Sequence, residues 1–144
     1  MIILVTGLPG TGKTSWVKEH MKPGDIVYDL DRIAGALTYS EEERENNVAR
    51  YLANDMYDSF RSTVEWDNIP FTGDVYIIRT NPGMKEARLL AGANANRNGA
   101  EVLVFGKEYT DREFSPMFKA ALATELEVFL DSCREAGIEV KRIE

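Results

Sequence analysis

Gly7-Leu8-Pro9-Gly10-Thr11-Gly12-Lys13-Thr14 follows the spacing G-x-x-x-x-G-K-[ST], with Ser15 immediately after it. Glycines at these positions let the backbone turn its N–H groups inward around an anion, and the positive end of a following helix points at the same place. A lysine adds a point charge, and a hydroxyl adds a hard oxygen ligand for a small divalent cation. The chemistry this set supports is the holding of a nucleotide polyphosphate with Mg²⁺ by Gly7 through Ser15, Lys13 bridging the β- and γ-phosphates and the Thr14 hydroxyl ligating the metal. The spacing carries this meaning only between a strand and a helix.

A second pair of residues could complete that chemistry. "YDLDRIAGAL" places Asp29 and Asp31 just beyond the apolar run Ile26-Val27-Tyr28, where the exits of parallel strands bind ligands. One carboxylate can stabilise Mg²⁺, directly or through water, while the other accepts a hydrogen bond from an acceptor hydroxyl and takes its proton. A structural reading stands beside it: Asp31 caps a helix beginning near Arg32, and Asp29 is a solvated turn residue. Motor and switch ATPases instead place an acid at the end of a further apolar strand. Here Val75 to Ile78 runs into Arg79-Thr80, Val102 to Phe105 runs into Gly106-Lys107, and Asp74 and Glu101 lie at the opposite ends.

These residues need elements to position them. Ile2 to Thr6 reads as a buried strand and Lys13 to Met21 as a helix ended by Pro23-Gly24, so the glycine loop has the required context. Ile33 and Leu37 suggest a helix after Asp31. The longest helix is expected next, with Ser40 and Glu43 as a capping box and Val48, Leu52, Met56, Phe60 and Val64 as a core-facing stripe. Val75 to Ile78 and Glu101 to Phe105 are further strands, separated by a helix from about Met84. Ser115-Pro116 opens a last helix striped by Phe118, Leu122, Leu126 and Phe129 and closed by Gly137, and Ile138 to Ile143 alternates as an edge strand. Strands alternating with helices predict one α/β domain over residues 1–144, a three-layer α/β/α unit with a mainly parallel sheet of about five strands.

"GLPGTGKTSW", followed by a proline-glycine break, a short strand and "DLDRIAGAL", resembles the small P-loop kinases: the group with shikimate and gluconate kinases, and especially phage-type polynucleotide 5′-kinase domains. The resemblance is specific over roughly the first 38 residues and architectural beyond them. It implies the strand order 2-3-1-4-5, ATP rather than GTP as donor, Asp31 as general base, Asp29 as the first aspartate of a D-x-D pair near the metal, and Lys13 and Thr14 in the phosphate and magnesium positions. It also implies an arginine-bearing lid, for which "GKEYTDREF" offers Arg112, with Lys107 after the fourth strand; as a plain surface residue Arg112 would decorate a polar loop. Two positions differ from the pattern. Ala34 stands where polynucleotide kinases carry an arginine three residues beyond the base, and Thr80-Asn81-Pro82-Gly83 replaces the glycine run of shikimate kinases.

Composition narrows the classes of partner. The 144 residues carry a net charge of −7, which opposes an extended surface for nucleic acid. The charge is uneven: Glu41 to Asp67 holds eight acids against three arginines, whereas Arg79 to Lys107 holds five basic residues against two acids. The second stretch suits an anionic acceptor, and Arg79 and Arg88 are the weaker candidates for gripping it. No apolar run approaches membrane-spanning length, and Met1 to Val5 stops at Thr6-Gly7, so a soluble, cytoplasmic protein is expected. Cys133 reads as a small core residue, His20 as an exposed helical residue, and Trp16 and Trp66 as packing residues. The expectation is transfer of the γ-phosphate of ATP, with Mg²⁺, to a hydroxyl on a nucleotide, nucleic-acid end, modified base or other small acceptor. A P-loop ATPase that drives a partner, with Thr80 and Asn81 to position water, and a nucleotide-binding module without chemistry are the alternatives.

Overall fold

The computed structural model describes residues 1–39, 46–66, 72–96, 99–106 and 115–143. Along them run β1 (Ile2–Gly7), α1 (Lys13–His20), β2 (Ile26–Asp29), α2 (Leu30–Ala36), α3 (Asn47–Trp66), β3 (Val75–Ile78), α4 (Met84–Ala95), β4 (Ala100–Phe105), α5 (Pro116–Glu135) and β5 (Glu139–Ile143). The five strands form one sheet, every pairing is parallel, and the order is β2-β3-β1-β4-β5, as expected. Central β1 is flanked on both sides, Val5 standing beside Ile78 of β3 and Leu103 of β4.

Side chains alternate across a strand, so a strand covered on both faces is apolar throughout. Strand β1 is buried from end to end. Its Ile2 and Leu4 join a cluster with Ala87 and Leu90 of α4 and Phe129, Leu130 and Cys133 of α5. Its Ile3 and Val5 join another with Val17 of α1, Tyr76, Ile78 and Phe105. Helices therefore lie on both faces, α1 on one and α4 and α5 on the other, an arrangement compatible with three layers. Among the described residues no helix is long and apolar enough to cross a membrane.

Helix α3 departs from the expected stripe. Val48, Leu52 and Met56 are 69%, 45% and 48% exposed, whereas Ala49, Ala53 and Tyr57 are buried, and only Phe60 and Val64 of the stripe pack on the core. The reason is geometric: at 3.6 residues per turn, a strict four-residue repeat drifts about 40° at each step and cannot keep one face over four steps. The small residues decide which face turns inward. Ala49 and Ala53 meet Ala34 of α2, with Leu30 and Ile33 packed alongside, and the Tyr28 hydroxyl donates to the Ala53 carbonyl and ties α3 to β2. The Asn46 side chain accepts from the Ala49 N–H at 3.0 Å, while Ser40 and Glu43 of the expected capping box lie outside the described residues.

Two further expectations are corrected by exposure. Phe118 is exposed, so the stripe of α5 reaches the core only through its later members, Leu126 and Phe129. Trp66, at the last position of α3, is exposed, while Trp16 packs against the α1 face of the sheet. The Ser115 cap and Pro116 start are as expected, Ser115 Oγ accepting from the Phe118 N–H at 3.1 Å.

Candidate functional site

Connections leave the neighbouring strands β1 and β3 for opposite faces, toward α1 and α4, and open a crevice beyond their carboxyl ends. A cavity of about 680 Å³ lies there. The glycine loop lines it through Pro9, Gly10, Gly12, Lys13, Thr14 and Ser15, the end of β2 and start of α2 through Asp29, Leu30 and Asp31, α3 through Arg50 and Asn54, and the end of β3 through Ile78, Arg79, Thr80 and Asn81. Gly7, Leu8 and Thr11 shape the loop behind that lining.

Two glycines explain why the loop turns as it does. Gly7 has φ +142°, and a Cβ there would stand 2.5 Å from the Phe105 carbonyl oxygen, so β4 can approach only a glycine. Gly12 has φ +93° and is the N-cap of α1; a Cβ there would meet only open space, so the backbone conformation rather than crowding selects glycine. The loop then closes on itself. The Lys13 ammonium donates to the Gly7 and Leu8 carbonyls at 2.8 Å each, and the Thr11 hydroxyl donates to the Leu8 carbonyl at 2.9 Å. Burial pushes the Lys13 pKa down to about 8, with the charges of Asp31 and Asp29 acting against that fall.

The two aspartates divide their contacts. Asp29, buried at the end of β2, is the N-cap of α2: its Oδ1 accepts from the Asp31 N–H at 3.2 Å, and its Oδ2 accepts from the Thr14 hydroxyl at 3.2 Å. Asp31 sits in the first turn of α2, and its Oδ1 accepts from Arg50 Nη1 at 2.7 Å. The cap is thus Asp29 rather than Asp31, because β2 runs one residue beyond Tyr28 and α2 starts at Leu30. Asp31 is left with its carboxylate on the cavity wall.

A hydroxyl and a carboxylate in contact offer two hard oxygen ligands, a set that fits Mg²⁺, which keeps several waters and takes further oxygens from bound phosphates. Thr14 and Asp29 are the residues that could hold it. Among the described residues no group of three or more His, Cys, Asp or Glu side chains is placed to hold a metal ion.

The far wall holds what the spacing of residues did not reveal. Arg79 Nη1 donates to Asn54 Oδ1 at 3.3 Å, its guanidinium lies 4.2 Å from the centre of the Tyr57 ring, and its Nε is 3.8 Å from Glu86 Oε1. Arg50 and Asn54 were not singled out in the sequence. Their separation of four residues, which puts both on one helical face, was the available signal. Arg88 points elsewhere, donating to Glu65 at 2.9 Å on the exposed surface. Asp74 and Glu101 are likewise engaged away from the cavity, with the Met1 amino group and Lys141 at 3.3 Å each. Lys107 and Arg112 lie outside the described residues. Cys133 is fully buried with its thiol pushed up to about 11, which fits a packing role. No model of a known protein family matches the chain, and a search of curated proteins found no match.

Proposed function

We propose that the chain is a P-loop kinase that transfers the γ-phosphate of ATP to a hydroxyl. The observation that carries this reading is that the loop Pro9–Ser15 and the two carboxylates of Asp29 and Asp31 line one cavity, Asp29 bonded to Thr14 and Asp31 on the adjoining wall. A nucleotide-binding loop alone would account for the first part. The second carboxylate, on the adjoining wall of the same cavity, would supply a base.

In this reading the loop N–H groups and the start of α1 hold the polyphosphate, and Lys13 leaves the Gly7 and Leu8 carbonyls to follow the γ-phosphate. Thr14 and Asp29 are the residues that would hold Mg²⁺, which would supply neutralisation of the charge that develops on phosphoryl transfer. Asp31 accepts the proton of the acceptor hydroxyl as that oxygen forms its bond to phosphorus. The bond from phosphorus to the β,γ-bridging oxygen breaks, and ADP leaves with the electron pair. Asp31 then returns its proton to solvent. Positioning and charge stabilisation do most of the work, with no covalent intermediate.

The test is a screen with ATP labelled at the γ-phosphate against nucleosides, nucleotides, oligonucleotide 5′ ends, base-hydroxymethylated DNA and small hydroxy acids, with Lys13→Ala as control. Labelled product that needs Mg²⁺ and vanishes in Lys13→Ala is the expected result. Thr80 and Asn81, which line the same cavity, favour the second reading, an ATPase. Hydrolysis stimulated by a protein or nucleic acid, with no labelled acceptor, would decide for it.

A further inference from the structure

We propose that Arg79 is a preset receptor for an oxyanion, a phosphate or carboxylate group that the acceptor carries besides the hydroxyl it offers. The proposal rests on the kinase reading above and adds to it the class of acceptor.

The fold fixes where the guanidinium stands. Arg79 directly follows β3, and its backbone N–H donates to the Val5 carbonyl at 3.0 Å, which ties it to central β1 just before the glycine loop. Its side chain then lies 4.2 Å from the centre of the Tyr57 ring, donates to Asn54, and keeps Glu86 of α4 at 3.8 Å from Nε. Tyr57 and Glu86 are both buried, so neither can swing away with it. A side chain held from three sides has already given up much of its rotamer freedom, and an anion that binds it is spared that cost.

These contacts use little of the guanidinium. Among the described residues the bond to Asn54 is its one hydrogen bond, because Glu86 at 3.8 Å lies beyond hydrogen-bonding distance. Arg88 is the contrast, spending two of its N–H groups on Glu65 at 2.9 and 3.4 Å. A guanidinium presents its donors in a planar fork that matches an oxyanion. Arg79 keeps most of that fork, its side chain is 22% exposed, and it lines the cavity.

Position assigns the anion to the acceptor. Asn54 stands about one helical turn beyond Arg50 on α3, and Arg50 donates to Asp31, the residue that would act as base. Arg79 thus belongs to the wall where the acceptor would stand, while Lys13 and the loop N–H groups serve the polyphosphate. In a chain of net charge −7, a held guanidinium with donors to give is a local reason for an anion to enter.

Inorganic phosphate and acetate serve as probes, titrated into protein saturated with a non-hydrolysable ATP analogue and Mg²⁺ so that the glycine loop is already filled. Nitrogen-15 NMR follows the Arg79 Nε–H signal, assigned by its loss in Arg79→Lys, together with backbone amides of the cavity. At least one probe should bind saturably and shift that signal; phosphate alone marks a phosphorylated acceptor, acetate alone a carboxylic acid, and both a site open to either. Arg79→Gln should weaken probe binding by roughly tenfold or more and leave the affinity for the analogue unchanged. Glu86→Gln keeps the guanidinium and removes a neighbouring negative charge, so it should bind the probe at least as tightly as wild type. A pair that only fastens β3 to α4 predicts equal losses in both variants. Because Arg79→Gln leaves Glu86 buried without its cation, Arg79→Gln/Glu86→Gln removes both charges together and should show the same loss of probe binding. Binding of neither probe, or binding that persists without Arg79, overturns the proposal. Loss of analogue affinity in place of probe binding assigns Arg79 to the γ-phosphate of the donor and overturns it as well. A wild type that binds the analogue but neither probe refutes the role of Arg79 alone, and one that does not bind the analogue refutes the kinase reading and this proposal with it.

Discussion

The Thr14 hydroxyl and the Asp29 carboxylate are 15 residues apart in sequence and 3.2 Å apart in the fold. One lies in the first turn of the helix after β1 and the other closes β2, so the contact spans the width of β3 at the carboxyl end of the sheet. Asp29 has two duties, as cap of α2 and as candidate ligand, and Asn separates them. Asparagine caps a helix about as well as aspartate but is a weaker ligand for Mg²⁺. Asp29→Asn should therefore melt close to the wild-type temperature and need a higher Mg²⁺ concentration for half-maximal turnover. A lower melting temperature with an unchanged Mg²⁺ requirement would leave Asp29 with the capping role only.

Lys13 gives the site a pH dependence whose sign follows from its pKa of about 8. Below that pH the free protein already holds the ammonium, and nucleotide binding needs no proton. A triphosphate beside Lys13 favours the charged form and raises its pKa, so above pH 8 binding takes up a proton. Affinity should fall with rising pH by up to about tenfold per unit until the pKa of the complex is reached. Calorimetry from pH 7 to 9.5 in buffers of different ionisation enthalpy would show the uptake. Lys13→Met should bind weakly and lose the slope.

Much of this arrangement is legible in the chain because the signals are local. Gly7 to Thr14 form a contiguous pattern whose glycines need unusual backbone angles, and the flanking apolar run and helix supply its context. Asp29 and Asp31 are placed by the end of a strand that reads as three residues, Ile26 to Tyr28, and is four in the fold, a difference that moves the cap from Asp31 to Asp29. Arg50 and Asn54 belong to a different class. Their direction depends on how α3 is rotated about its axis, which is set by the contact of Ala49 and Ala53 with Ala34. Nothing within ten residues of Arg50 says that Asp31 will face it.

The rotation of α3 can be tested by stability. Ala53 is fully buried at the contact with α2, whereas Leu52 is 45% exposed. Ala53→Leu should overpack that contact and cost about 1–3 kcal/mol. Leu52→Gln should change stability by no more than about 0.5 kcal/mol, as surface substitutions do. Denaturant titration of both variants makes the comparison. The reverse ranking would mean that the apolar stripe, not the alanine face, turns inward.

In the proposed kinase reading, the residue that decides the destination of the phosphate is Asp31. Asparagine keeps its shape and can still accept from Arg50, but it cannot take a proton from a hydroxyl at neutral pH. Because the cap of α2 is Asp29, the Asp31→Asn change leaves that helix end intact, and loss of the part-exposed ion pair should cost no more than about 1 kcal/mol. ATP affinity should stay near the wild-type value, since Lys13 and the loop are untouched. Transfer to the acceptor found by the labelled screen should fall by roughly 10²- to 10⁴-fold, the range lost with a general base. Single-turnover measurement with labelled ATP isolates that step from product release. Full transfer by folded Asp31→Asn protein would remove Asp31 from the chemistry, and with it the distinction drawn between this site and a loop that only holds a nucleotide.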